Sequence, residues 1–338
     1  MSQDGKEHAP EPYPSVGQAL HIPARDIPIP TTVSNEARAF VQATTVYPDM
    51  IYPALDDRAG WRAHVAGIDG QIMPLLEAIT PPGTVEVTER FIGSVRVFDI
   101  LPDNLEGDPQ ALILDMHGGG LILCAGELGR QMATRTALRY RRRVWSVDFR
   151  TAPDHPYPAA LDDGVGAYDS LLRERRPDEI IFHGESGGGN LIAALLLRAR
   201  DEGMPLPAGV ILSTPQIDLT ETGDSFHANF GLDPGLKPLM PVHLLYADGA
   251  DLRHPYLSPL FGDFLKGFPP TFLATGTRDL FLSNTVRMHQ ALRAADIEAD
   301  LHVLEAAPHG NFPNTPESAE LDRLTRQFIE KVLAIKRA

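Results

Sequence analysis

Cysteine is nearly missing from this 338-residue chain: Cys124 stands alone, so no intrachain disulfide can form. A reducing compartment is the easier home for such a chain. The first twenty residues lack a basic stretch followed by an apolar run, so no secretory leader is expected there. No 18-residue apolar stretch suggests a membrane span, and stable membrane insertion is not expected. The expectation is a cytoplasmic protein. Positive charge is scarce as well. With 30 Lys and Arg against 45 Asp and Glu, the net charge is −15, which argues against a nucleic-acid partner. The one basic run, residues 139–143, reads as a helix end before a strand, where cations complement the helix dipole. Metal-ligating spacings such as H-E-x-x-H or a Cys/His cluster do not occur, so no metal is expected. A hydrophobic content of 43% with 22% charged residues supports a substantial buried core.

The organisation follows from periodicity. Six prolines within residues 1–30 (Pro10, Pro12, Pro14, Pro23, Pro28 and Pro30) make an extended or partly disordered start. Helical patterns follow near 34–45 and 55–79, and Pro81-Pro-Gly83 ends them. Residues 85–91 and 95–98 read as an antiparallel pair. Apolar runs at 111–114, 144–147, 180–182, 210–212, 271–274 and 301–304 then alternate with helical segments near 128–141, 158–175, 188–201, 284–295 and 316–336. Thr315 is the expected N-cap of the last helix, with Pro316 at its first position. Apolar strands alternating with helices imply an α/β fold whose mainly parallel sheet is covered on both faces. The expected division is an N-terminal extension with helices over 1–84 and the main α/β domain over 85–338. An irregular insertion over about 217–256 would share a lid with the N-terminal helices.

Phe182-His-Gly-Glu-Ser-Gly-Gly-Gly-Asn-Leu191 sits between a strand and a helix. Strand, glycines and helix suit either a phosphate or a developing oxyanion, because a helix N-terminus stabilises both. A phosphate loop would need Lys and a hydroxyl after its last glycine, and this chain offers Asn190 and Leu191. The dinucleotide fingerprint also fails, with Ser186 where its second glycine belongs. Gly184-Glu-Ser186-Gly-Gly188 instead matches G-x-S-x-G, a strained strand-to-helix turn that presents a serine nucleophile.

A serine nucleophile needs oxyanion donors and a base. His117-Gly-Gly-Gly120, directly after a strand, supplies Gly118 and Gly119 as donors, joined by the amide of Gly187. His309, past the strand at 301–304, is the candidate base. His302 lies in a strand and His289 in a helix, and His117 is read as a positional group. Asp279, just past the strand at 271–274, is the candidate acid. Asp248, Asp251 and Asp263 are rivals by chain order, set in the insertion or a loop.

Taken together, HGGG, GESGG, the segment from Val147 to Asp163 (VDFRTAPDHPYPAALDD), Gly276-Thr-Arg-Asp279 and Pro308-His-Gly310 resemble the bacterial hormone-sensitive-lipase-like esterases of the α/β-hydrolase fold. The resemblance runs from about Ala111 to the C-terminus. It implies Ser186 as nucleophile, His309 as base, Asp279 as its orienting acid and an oxyanion hole of Gly118, Gly119 and Gly187. It further implies an α-helical cap, hydrolysis of short-to-medium acyl esters without a cofactor, and compatibility with a homodimer. Three departures are visible: Glu185 where the family commonly has Asp or Thr, Gly187 where it has Ala, and Leu121 where an aromatic is common. The last two are read as loosening the turn or making room for a bulkier substrate. Phe226, Phe230, Met240 and Tyr246 are candidates to line the pocket, packing of the cap onto the core being the equal alternative. A lactone, amide or carbamate hydrolase and a non-catalytic small-molecule receptor are the other functional readings.

Overall fold

The computed structural model describes residues 24–43 and 50–334. Four of the six early prolines, the helical expectation at 44–45 and the last two residues of the helix expected over 316–336 lie outside them. Residues 24–30, with Pro28 and Pro30, run without regular structure. Two helices come first, α1 (Asn35–Ala43) and α2 (Arg58–Ile79). Strands β1 (Val85–Ile92), β2 (Val95–Pro102) and β3 (Leu112–Met116) follow, then α3 (Glu127–Tyr140), β4 (Arg143–Asp148) and α4 (Ala159–Leu171). The central part contains β5 (Ile180–Glu185), α5 (Gly187–Asp201), β6 (Gly209–Ser213), α6 (Ser225–Ala228) and α7 (Met240–Ala247). The chain closes with β7 (Thr271–Gly276), α8 (Leu282–Ala294), β8 (Ala299–Leu304) and α9 (Pro316–Ala334).

The strands form one eight-stranded sheet in the order β1-β2-β4-β3-β5-β6-β7-β8. β1, β2 and β4 pair antiparallel and every other pairing is parallel. The central strands are buried on both faces, which explains their continuous apolar runs. Within them, alternate residues part to opposite sides. Leu112, Leu114, Ile180, Phe182, Val210 and Leu212 pack against α4, α5 and α8. Ile113, Ile181 and Ile211 pack against α3 and α9. α5 is enclosed almost all round, and Leu195, Leu196 and Leu197, fully buried, each contribute about 1.5–3 kcal/mol. Thr315 caps α9 as expected, its hydroxyl accepting from the Ser318 amide at 3.3 Å.

Two sequence expectations are corrected. The strands run past their apolar cores into polar residues, because the added groups pair inside the sheet: His183 Nδ1 lies 2.6 Å from Asp115 Oδ1, and Ser146 donates to Asp115 Oδ2. The interval 217–256 is not wholly irregular, since it carries α6 and α7. Among the described residues no helix is long and apolar enough to cross a membrane.

Candidate active site

Four loops leave the carboxyl ends of parallel strands and converge, as open α/β sheets favour. β3 is followed by His117-Gly-Gly-Gly120, β5 by Ser186, β7 by Asp279 and β8 by His309. The turn at Ser186 is tight. Its φ of 56° and ψ of −121° put a non-glycine residue in the left-handed half of conformational space. A methyl at Gly184 would sit 2.4 Å from the Gly188 carbonyl oxygen, and one at Gly188 would sit 1.9 Å from that of Met116. Only glycine permits that approach.

The structure brings three of the expected side chains into one line. Ser186 Oγ lies 2.9 Å from His309 Nε2, and His309 Nδ1 lies 3.0 Å from Asp279 Oδ1. Asp279 is wholly buried and further anchored. The Phe281 amide donates to Oδ1 at 2.8 Å and the Thr275 hydroxyl to Oδ2 at 2.7 Å. Asn229 holds the backbone of the same loop, donating to the Asp279 carbonyl at 2.8 Å. The edge of the Phe281 ring meets the His309 imidazole at 4.9 Å. Burial alone would lower the His309 pKa. The Asp279 carboxylate overcomes that and, with Asp233 and Glu185, holds it above the ordinary imidazole value. The rival acids are elsewhere: Asp248 faces Arg58 at 3.8 Å, and Asp251 and Asp263 each close their own turn.

Gly118 and Gly119 border the same cavity as Ser186 and His309. Among the described residues their amides have no acceptor, which leaves them available to a ligand oxygen. His117 is buried, with its ring stacked on Phe149 at 4.2 Å and its Nδ1 2.7 Å from the Gly118 carbonyl. Burial lowers its pKa, so it is a neutral donor that fixes this peptide.

The departure at Gly187 has a different meaning from the one expected. A methyl there would point at backbone, 2.9 Å from the Leu121 nitrogen and 3.0 Å from that of Gly120. The missing methyl therefore lets two loops approach and does not widen the cavity. Leu121 likewise is buried in the main core.

The cavity beside Ser186 has a volume of about 380 Å³. One wall is α2, whose His64, Ile68, Ile72 and Leu76 recur every fourth residue and so share a face. Leu236, Leu239 and Val242 also line it. None of the four candidates for its lining borders it, and the alternative of core packing holds for Phe226 and Tyr246. Phe226 packs on Phe281, Tyr246 is wholly buried against Tyr157, Phe230 is exposed, and Met240 is not part of the wall. Two buried carboxylates near the site went unread in the sequence. Glu221 accepts from the Leu239 amide at 2.5 Å, and Asp233 accepts from the His309 amide at 3.1 Å. Their only signal was an Asp or Glu inside a glycine- and proline-rich loop.

The family model described as the alpha/beta hydrolase fold matches residues 113–313. The chain belongs to this family. Within it, the chain stands among the bacterial hormone-sensitive-lipase-like esterases. It is 33% identical over 217 residues to an esterase of Acinetobacter venetianus, covering 61% of this chain and 70% of the relative. An acetyl-hydrolase of Streptomyces hygroscopicus is 31% identical over 62% of this chain and 69% of its own. The crystal structure of an esterase E25 superposes with a TM-score of 0.87 at 35% identity, covering 93% of this chain and 98% of that one. An esterase structure from the bacterial hormone-sensitive lipase family gives a TM-score of 0.73 at 28% identity, covering 89% and 99%. This α/β hydrolase is thus an enzyme whose relatives are named for ester hydrolysis.

Proposed function

We propose that the protein is a serine carboxylic-ester hydrolase that cleaves short-to-medium acyl esters through an acyl-enzyme. The observation that carries this reading is the unbroken chain from Ser186 through His309 to Asp279 at the foot of a mainly apolar cavity. Neutral His309 accepts the Ser186 proton as Oγ attacks the ester carbonyl. The amides of Gly118, Gly119 and Gly187 hold the resulting oxyanion, and Asp279 stabilises the imidazolium. His309 then protonates the departing alcohol. Water repeats the sequence on the acyl-enzyme, with His309 first base and then acid. No step calls for a metal or cofactor.

The apolar faces of α2 and of the 235–242 segment suit an acyl chain, and the volume lies within the usual range for small-ligand sites. In this reading the helices α1 and α2 and the insertion at about 217–256 act as a cap on the catalytic domain. The test is p-nitrophenol release from acetate, butyrate, octanoate and laurate esters by the wild type and by Ser186→Ala. The expected result is a preference for the shorter chains and a loss of several orders of magnitude in the variant. Near-normal turnover by Ser186→Ala would defeat the proposal.

A further inference from the structure

Asp233 lies in the loop between α6 and α7 and is wholly buried. Among the described residues it forms no ion pair with Lys or Arg. Four backbone amides solvate it instead, from three separate segments. Its Oδ1 accepts from Gly235 and Leu236, both at 3.1 Å, which closes the turn of its own loop. Its Oδ2 accepts from Leu280 at 3.2 Å and from His309 at 3.1 Å. One carboxylate thus ties the wall of the cavity, through Leu236, to the loop carrying Asp279 and to the backbone of His309 itself.

The choice of residue is informative. An asparagine would serve the turn equally well, because one carbonyl oxygen satisfies Gly235 and Leu236. Its amide group would then face two N–H donors, those of Leu280 and His309, with no acceptor for either. Only a carboxylate offers lone pairs on both sides at once. The fold therefore keeps a buried carboxyl group, against the upward pull of burial on its pKa, whose second oxygen accepts from the loops of Asp279 and His309.

We infer that Asp233 is a positioning residue of the hydrolytic relay, fixing the His309 and Asp279 loops to the cavity wall so that all three hold one geometry. The inference rests on the serine-hydrolase reading. Displacing the His309 backbone by about 1 Å would misalign Nε2 with Ser186 Oγ, and misplacement on this scale can cost roughly 10²-fold in rate. A residue that merely shapes the cavity would alter KM instead.

The experiment compares the wild type, Asp233→Asn and Ser186→Ala on p-nitrophenyl butyrate, with folding checked by circular dichroism. Asp233→Asn is expected to lower kcat by roughly 10- to 100-fold while KM stays within about twofold. An unchanged kcat, or a change confined to KM, would overturn the inference. In the wild type, residue-level amide hydrogen exchange reads the tether independently of chemistry, and decides the matter if the variant does not fold. The amides of Gly235, Leu236, Leu280 and His309 should be slow and share one protection level within about threefold, as parts of one opening unit. Fast exchange at Leu280 and His309, or protection unrelated to that of the other two, would overturn it. Wild-type turnover that survives Ser186→Ala would refute the serine-hydrolase reading alone, leaving the exchange result to judge the tether.

Discussion

Replacing Asp279 by asparagine tests how the acid acts. In many triads this change delivers the wrong imidazole tautomer, because the new amide group turns toward the histidine, at a cost of about 10⁴ in rate. Here the orientation is constrained. Oδ1 receives both His309 Nδ1 at 3.0 Å and the Phe281 amide at 2.8 Å. The asparagine oxygen must occupy that position, since a second donor there would meet a backbone N–H. Its amide group then faces Thr275 Oγ1, whose hydroxyl can accept. His309 keeps its Nδ1 proton and its orientation, so only the charge is lost. For unit charges about 4 Å apart at an effective dielectric of 20, that is about 4 kcal/mol, or roughly 10³ in rate. Asp279→Ala removes orientation and charge together, and should cost at least roughly ten times more. Single-turnover p-nitrophenol release would measure both. Equal losses in the two variants would refute the argument. A second readout is the acid limb of the pH–rate profile. Since the Asp279 carboxylate holds His309 above its ordinary value, Asp279→Asn should move that limb to lower pH.

Gly187→Ala should lower kcat on the butyrate ester by roughly 10²-fold with little change in chain-length preference, because the added methyl pushes on the backbone of Gly120 and Leu121, next in the chain to the proposed donors Gly118 and Gly119. Full activity with a loss confined to longer acyl chains would restore the view that Gly187 widens the pocket. Glu221→Gln tests a buried charge. Burial pushes the Glu221 carboxyl up to about 7, so ionising it weakens the fold as pH rises from the unfolded value near 4.5 through 7, by about 3 kcal/mol in all. The stability of Glu221→Gln relative to wild type should therefore rise by that order between pH 5 and pH 8.5 in thermal melts, and a pH-independent difference would refute it.

The strands were legible because each central one is covered on both faces, leaving a continuous apolar run that few other environments tolerate. The candidate nucleophile was legible because sterics leave little choice: a methyl on Gly184 would fall 2.4 Å from the Gly188 carbonyl oxygen, so the turn admits only glycine there. His309 and Asp279 followed from chain order, since each sits just past a strand of the parallel sheet. What side a residue of the 217–256 interval faces was not legible. Phe226 and Tyr246 are as apolar as any pocket residue, yet they fasten the insertion to the core. The wall is made by Ile68, Ile72 and Leu76, whose spacing announces a helix face without saying what it faces.

The least legible parts are the ties between loops, and the reason is chemical. Asp233 and His309 are 76 residues apart, Asp69 and Cys124 are 55 apart, and Glu221 and Leu239 are 18 apart. In each case one partner is a carboxylate and the other a backbone N–H. The N–H is common to every residue except proline, so the donor side leaves no mark on the sequence. The acceptor side leaves only an acidic residue, in a loop for Asp233 and Glu221 and within α2 for Asp69, of a kind that is common on any surface for solubility alone. Such contacts nevertheless hold segments that line the cavity beside Ser186, at Cys124, Leu239 and His309. A side chain can be recognised by its type, but its aim is fixed by the backbone that carries it, and here that backbone is held by groups with no pattern of their own. Substitutions remote in sequence from the three reacting residues should therefore change kcat without changing any group that touches the substrate.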